Sequence, residues 1–276
     1  MEPRLLQEIT RNIDAALNED EAFRDRTTLA CIENGPGIGT LFLKEKGVVA
    51  GLPILKLIAY YVDPKVTLEF HKEEGEFSEP DQVATLEGPL HSLLALERTA
   101  INFVQHVSSI ATETAKYVEA ANGLCDILDT RKTLPAHRYL QKYGVKIGGG
   151  KNHRFHLSDQ ILIKDNHLNS LSVDEAIRRA RKKFPSKFIR VEVENEKSFD
   201  LSVKACPDAI LLDNMCPKTI RKFVDRNQSK IYLEASGGIE LKDIRSYAEA
   251  GVDGISIGRL THSVRAIDMS LKIRRK

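Results

Sequence analysis

From Asp126 onward the sequence alternates short apolar segments with longer amphipathic ones, and this alternation most constrains the fold. The apolar segments have the length of strands, whereas Val173, Ile177 and Ala180 recur at the three- and four-residue spacing of a helix. Such repetition requires parallel strands joined by helical crossovers. The predicted strands are Asp126–Leu128, Val145–Ile147, Ile161–Ile163, Ile189–Val193, Ala209–Leu212, Ile231–Leu233 and Ile255–Ile257. The predicted helices are Val173–Phe184, Ser198–Ala205, Pro217–Asn227, Leu241–Ala250 and Thr261–Ile273, with the basic tail after Lys272 as a solvated helix end.

Polar residues follow these strands repeatedly, which favours closure into a barrel whose functional groups lie at the carboxyl ends of the strands. Only seven strands are visible, so we predict an incomplete TIM-like α/β barrel; a doubly wound open sheet is the alternative. The first hundred residues instead mix short β-branched strands with one helix over Leu52–Val62, as in a small α+β domain. A long amphipathic helix over Leu93–Ala115 follows. We therefore predict two domains, residues 1–103 and 104–276.

Cationic side chains are concentrated between Arg131 and His167. This stretch holds eight Lys or Arg against two Asp, with four His interleaved, although the whole chain carries a formal charge of only +2. Arg131, Lys132, Arg154 and Lys164 stand at predicted strand ends or beside a triple glycine, where loops carry binding chemistry. Cations placed so close together repel unless an anion joins them. We predict a small ligand with several negative charges, and His153 as a further contact.

Two other groups of residues extend this predicted site. The glycine-bearing segments Glu234–Ile239 and Gly254–Gly258 fit the last two strand ends of a barrel, where backbone N–H groups commonly bind phosphate. Glu192 and Glu194 share one face of a strand, and Asp213 ends the next strand. Carboxylates there could hold Mg²⁺, bind sugar hydroxyls or stabilise developing positive charge; capping of the following helices is the plainer alternative.

Composition excludes several classes of function. Near-neutral charge opposes nucleic acid as the main partner, because a polyanion requires a broad basic face. No apolar run approaches the roughly 18 residues that span a bilayer. The four cysteines lack a C-x-x-C pair, which opposes a zinc site and favours buried, reduced thiols. We predict a cytoplasmic protein without membrane or nucleic-acid partners.

The ordered motifs resemble a known family, quinolinate phosphoribosyltransferase, the decarboxylating nicotinate-nucleotide pyrophosphorylase of NAD biosynthesis. The resemblance extends along the chain through Asp25–Thr28, Glu97–Asn102, Asp129–Thr133, Gly148–Arg154, Ile163–His167, Glu192–Glu194, Leu212–Asn214, Ala235–Ile239 and Gly258–His262. It implies an N-terminal α/β-sandwich domain, an incomplete α/β barrel, and a homodimer with shared active sites, or a higher oligomer. The implied substrates are quinolinate and phosphoribosyl pyrophosphate, with Mg²⁺ as cofactor.

The resemblance also implies roles for individual residues. The dicarboxylate contacts would be Arg131, Lys132, His153, Arg154 and Lys164, with Arg98 supplied by the neighbouring subunit, and Thr130 would be a further substrate-binding residue. Lys132, Glu194 and Asp213 would be catalytic, the two acids facing the ribose and the Mg²⁺-pyrophosphate, with no metal held by protein alone. Glu194 is preferred to Glu192 because the family's residue is the second Glu of its E-V-E motif. The 5-phosphate would bind at Ser236, Gly237, Gly238 and Gly258.

Three departures from the family pattern affect local loops: Ala136 where Gly is usual, and His156 and Arg259 where smaller residues are common. Three alternatives stay open. A relative with this fold could act on nicotinic acid or a molybdenum-uptake-associated substrate, but every cation is retained. A catalytically silent phosphosugar-binding or regulatory protein should lack Lys132, Glu194 or Asp213, and all three are present. A nucleic-acid-binding module is the weakest alternative.

Overall fold

The computed structural model describes residues 2–276 and contains two compact units. The helices are α1 Pro3–Glu19, α2 Arg26–Cys31, α3 Leu52–Val62, α4 Leu90–Ala121, α5 Arg138–Ile147, α6 Asp165–Leu168, α7 Val173–Lys183, α8 Glu196–Ala205, α9 Pro217–Arg226, α10 Ile244–Glu249 and α11 Arg259–His262, with 3₁₀ turns at Ala22–Arg24 and Leu241–Asp243. The strands are β1 Pro36–Leu43, β2 Gly47–Val48, β3 Thr67–Phe70, β4 Phe77–Ser78, β5 Asp81–Pro89, β6 Asp126–Leu128, β7 Ile161–Ile163, β8 Ile189–Val193, β9 Ala209–Asp213, β10 Tyr232–Ser236, β11 Gly254–Ser256 and β12 Met269–Arg275.

Neither unit is continuous in sequence. The first comprises the residues up to Ala115 together with Thr133–Gly149 and Thr261–Lys276, and the second comprises Lys116–Lys132 and Gly150–Leu260. Helix α4 contributes to both units and contains the boundary that we predict between residues 103 and 104. That boundary stays a prediction.

The first unit is built on an antiparallel sheet of order β12-β1-β5-β3, beside the small β2-β4 pair. Alternate residues of β1, including Leu41 and Leu43, are buried because successive strand side chains point to opposite faces. These residues belong to the same apolar core as Ile54 and Ile58 of α3. The predicted helix over 52–62 is confirmed.

The structure corrects two predicted elements of this unit. We predicted a helix over Thr261–Ile273, but Met269–Arg275 is an edge strand paired with β1. Met269 and Leu271 are buried and alternate with polar residues, which is the period of a strand. The basic tail is therefore not a helix end. We also predicted a strand over Val145–Ile147, which is the last turn of α5.

The second unit contains a six-stranded parallel sheet of order β6-β11-β10-β9-β8-β7. Strands β7 to β11 lie side by side in the order in which they occur along the chain. Strand β6 pairs with β11, as it would in a barrel. Within the described residues, β6 and β7 lie at opposite ends of this order. The barrel is therefore incomplete, as predicted, and the doubly wound alternative is wrong.

The four cysteines are free thiols, with Cys31, Cys206 and Cys216 exposed and Cys125 half-buried. The prediction that they are buried was wrong. Among residues 2–276, no helix is both long and apolar enough to cross a membrane.

Candidate active site

A cleft of about 410 Å³ lies within the second unit, at the carboxyl ends of the parallel strands. Parallel strands bring the residues that follow them to one edge, so distant sequence motifs meet there. The residues that line the cleft are Thr130, Arg131, Lys132, His153, Arg154, Leu162, Lys164, Glu192, Leu211, Asp213, Ser236 and Ser256. All four cations singled out from the sequence are among them. The other four cations of the stretch do not line the cleft.

Asp129 joins two of the cationic segments. Its side chain is fully buried after β6, where Oδ2 accepts a hydrogen bond from Asn152 Nδ2 at 2.6 Å. Its Oδ1 accepts from the backbone N–H of His153 at 2.9 Å. Thr130 Oγ1 accepts from the backbone N–H of Lys132 at 3.0 Å, which shapes the adjacent turn. This buried carboxylate therefore links the segment carrying Arg131 and Lys132 to the segment carrying Arg154.

The cations of the cleft are crowded. Burial lowers the pKa of the Arg154 guanidinium, and the nearby positive charges of Arg131 and Arg190 lower it further. The guanidinium also donates from Nη1 to the backbone carbonyl of Gln160 at 3.1 Å. Because these charges repel one another, an anion that enters the cleft relieves the repulsion and binds more favourably.

Glu192, rather than Glu194, is the acid of β8 that lines the cleft. Lys164 Nζ donates to Glu192 Oε2 at 2.6 Å, and the Glu192 side chain is 12% exposed. Glu194 follows the strand and is exposed. The resemblance favoured the second Glu of the motif, whereas the geometry brings the first into the cleft.

Asp213 and Ser236 are directly paired at the ends of β9 and β10, and both line the cleft. Gly237 follows with a φ of 99°, in the left-handed region. A Cβ at Gly237 would lie 2.7 Å from the backbone nitrogen of Asn214, so this turn requires glycine. Gly238 has a φ of 61° but faces open space. Gly237, Gly238 and Gly258 adjoin the cleft in sequence without being among its lining residues.

Two buried charges beneath the cleft escaped the sequence analysis. Arg190 of β8 and Glu234 of β10 are 5% and 0% exposed. Each precedes a cleft residue, Glu192 or Ser236, by two positions and shares its face of the sheet. A charge inside an apolar strand at that spacing is the signal that could have revealed them.

The remaining candidates lie elsewhere. Arg98 is exposed on α4 in the first unit. His156 pairs locally with Asp159, Nδ1 to Oδ1, at 2.6 Å. Ala136 has a φ of 62°, so alanine occupies a left-handed conformation where the family usually has glycine, at a cost of about 1 kcal/mol.

Two family models match the chain in order. Residues 25–108 match the N-terminal domain of quinolinate phosphoribosyl transferase, and residues 110–272 match its C-terminal domain. The chain belongs to the quinolinate phosphoribosyl transferase family. Our expectation from the sequence motifs is therefore confirmed.

Individual relatives of this family are similar over nearly the whole chain. A probable nicotinate-nucleotide pyrophosphorylase [carboxylating] of Methanocaldococcus jannaschii is 40% identical over 270 residues, 94% of each protein. The nicotinate-nucleotide pyrophosphorylase [carboxylating] of Mycobacterium leprae is 38% identical, covering 95% of each. The solved nicotinate-nucleotide pyrophosphorylase of Francisella tularensis superposes with a TM-score of 0.93 at 32% identity, covering 97% of this chain and 96% of that one.

Proposed function

We propose that the protein transfers the phosphoribosyl group of 5-phosphoribosyl 1-pyrophosphate to quinolinate with decarboxylation, giving nicotinate mononucleotide, pyrophosphate and CO₂ for NAD biosynthesis. The observation that carries this proposal is the meeting of four cations and two acids in one cleft of a family member. A dicarboxylate supplies the negative charge that crowded cations attract, and planar guanidinium groups bind carboxylates with paired hydrogen bonds.

The cleft residues divide into two groups. Arg131, Lys132, Arg154 and Lys164 would contact the two carboxylates of quinolinate, with Thr130 and His153 beside them. Ser236 and the glycines that adjoin it, Gly237, Gly238 and Gly258, would bind the 5-phosphate. Asp213 would face the ribose. We assign the second acidic position to Glu192, because Glu194 lies outside the lining of the cleft.

The acids fit a magnesium ion that is held mainly by substrate. Within residues 2–276, no three His, Cys, Asp or Glu side chains come close enough together to hold a metal ion. Mg²⁺ typically takes one or two carboxylates together with substrate phosphates, a role that Asp213 and Glu192 could fill. When bound, the ion would neutralise charge on the departing pyrophosphate.

The cleft residues suit the two bond changes of the reaction. The pyridine nitrogen bonds to the anomeric carbon as the bond from that carbon to pyrophosphate breaks. Positive charge develops on the ribose, and carboxylates nearby stabilise it. The resulting pyridinium stabilises the electron pair that stays on the ring carbon as the adjacent carboxylate leaves as CO₂, and that carbon then takes a proton to give the product. The cations hold both carboxylates, so positioning and electrostatics carry much of the catalysis.

We further propose a homodimer in which Arg98 reaches the partner's cleft, as the family resemblance implies. A higher oligomer built from such dimers is compatible with this arrangement. A cytoplasmic location is supported by the four free thiols, since reducing compartments keep cysteines unpaired.

Purified protein supplied with quinolinate, phosphoribosyl pyrophosphate and Mg²⁺ should form nicotinate mononucleotide and CO₂ together, as detected by mass spectrometry. Nicotinic acid lacks the second carboxylate and should turn over far more slowly. Equal turnover of the two acids would overturn the dicarboxylate assignment. Absence of product from both would instead favour a silent phosphosugar-binding protein.

A further inference from the structure

An ion pair is buried directly beneath the cleft. Arg190 Nη2 lies 2.9 Å from Glu234 Oε2, and these side chains are 6% and 0% exposed. Desolvation of two charges costs so much that well-packed apolar residues are often at least as stabilising as a buried pair. Fold stability therefore gives no strong reason for the pair, and its contacts suggest a different role.

Arg190 contacts both ends of the segment that carries Arg154. Its Nη1 lies 2.8 Å from His153 Nε2, and the same nitrogen donates to Gln160 Oε1 at 2.9 Å. The backbone carbonyl of Gln160 in turn accepts a hydrogen bond from the Arg154 guanidinium. One buried guanidinium thus contacts the residue before Arg154 and the residue that anchors the Arg154 side chain.

The same contacts favour the neutral form of His153 over the charged one. Its Nδ1 faces the backbone N–H of Arg154 at 2.8 Å, and its Nε2 faces the Arg190 guanidinium. Both neighbours can only donate hydrogen bonds. An imidazolium carries N–H at both nitrogens and would oppose a donor at each, whereas the neutral ring keeps one N–H and opposes only one of them. Its acidic neighbours are Glu234, whose Oε1 lies 3.6 Å from Nε2, and Asp129, which bonds the His153 backbone.

We propose that Arg190 and Glu234 are positioning residues, which hold the Arg154 segment in its binding geometry and keep His153 neutral. This inference rests on the proposed function. In this arrangement His153 adds no positive charge to the cleft, and Arg154 binds the dicarboxylate from a fixed place.

Glu234 supplies the charge that makes this use of Arg190 possible. Its Oε1 accepts a hydrogen bond from Ser256 Oγ, and Arg190 compensates the other oxygen. Burial raises the pKa of Glu234, and the positive charge of Arg190 opposes that rise. Loss of Arg190 alone would leave a buried carboxylate without its cation and destabilise the fold. The kinetics of a single variant would therefore not separate lost stability from lost positioning. The pair should be replaced together.

The decisive variant is Arg190→Met combined with Glu234→Leu, an apolar pair of similar length. Its thermal stability should match or exceed that of the wild type. The KM for quinolinate should rise about tenfold or more, because the Arg154 segment loses the Arg190 contacts that hold His153 and Gln160 in place. The KM for phosphoribosyl pyrophosphate should stay within about twofold, and kcat should fall less than the quinolinate KM rises. Arg181→Met, which removes a partly exposed arginine outside the cleft, is the matched control and should change neither constant.

A second readout does not depend on activity. With ¹⁵N-labelled histidine, and His153→Asn to assign the resonance, the ring of His153 should stay neutral at about pH 5.5, a unit below the ordinary histidine value of about 6.5. In Arg190→Met, which removes the donor but keeps the Glu234 carboxylate, it should become protonated over that range. Arg190→Lys keeps the charge but cannot reach all three partners, so it should raise the quinolinate KM even if the double variant fails to fold.

A quinolinate KM within twofold of the wild type, in either folded variant, overturns the positioning role. So does a His153 ring that is protonated at about pH 5.5 in the wild type, or that stays neutral in folded Arg190→Met. Failure of the proposed function is distinct, because the wild-type enzyme would then form no nicotinate mononucleotide. The histidine titration would still test the positioning role in that case.

Discussion

At the scale of single residues, Arg154 has the most direct predicted role in substrate binding. Replacement by Ala would leave the substrate's carboxylate unpaired, at a cost of about 2–4 kcal/mol in binding or transition-state stabilisation. Thermal stability should change little or rise, because the crowding of Arg154 with Arg131 and Arg190 is relieved. Steady-state kinetics and thermal denaturation measure the two effects. A variant that unfolds, yet is fully active per folded molecule, would make Arg154 a structural residue.

The roles of Glu192 and Glu194, the two acids of the E-V-E motif, can be distinguished by making the same substitution at each. Glu192→Gln keeps the shape of the side chain but removes the carboxylate that accepts from Lys164. It should lower kcat/KM about a hundredfold, as expected for loss of one preorganised electrostatic group. Glu194→Gln is the matched control and should stay within about twofold. A large loss of kcat/KM in Glu194→Gln with a small loss in Glu192→Gln would restore Glu194, the choice that the family motif suggested.

At the scale of structural elements, the turn after β10 depends on glycine. Gly237→Ala places a methyl group against the backbone of Asn214 in a left-handed conformation. Gly238→Ala introduces the same conformational strain of about 1 kcal/mol, but no contact. Denaturant unfolding should therefore show the larger loss of stability for Gly237→Ala, together with weaker binding of phosphoribosyl pyrophosphate. Equal losses would mean that the Asn214 contact is easily relieved.

Elements with a clear period were predictable, and elements defined by distant partners were not. Ile189–Val193 and Ala209–Leu212 read as strands from local sequence, and both are confirmed. Met269–Arg275 alternates just as clearly, but its helical interpretation followed from extending the βα alternation one unit too far. Its partner β1 lies more than 200 residues earlier, and no local signal reports that pairing. Arg190 and Glu234 were missed because their meaning depends on two strands separated by β9.

At the scale of the whole molecule, two units interleave along the chain. The segment Thr133–Gly149 interrupts the second unit and Thr261–Lys276 follows it, and both belong to the first unit. The cationic stretch therefore contributes to both: Arg138 and Lys146 belong to α5, whereas Arg131 and Arg154 line the cleft. Sequence density overstated the local charge of the site, since only four of its eight cations line the cleft. The cleft residues themselves were largely predictable because they follow strands.

The role of Arg98 belongs to the same scale, since the proposed homodimer assigns it to the partner's cleft. A subunit carrying Arg98→Ala and a subunit carrying Arg154→Ala should each be inactive as homodimers. In a mixed dimer, one cleft carries both defects and the other carries neither. Half the dimers in an equilibrated equal mixture are mixed, each with one intact site of two, so about a quarter of wild-type activity should return. Subunit exchange is verified by native mass spectrometry of differently tagged chains. A mixture that exchanges fully but stays as inactive as its parents would mean that Arg98 does not act in the partner's cleft.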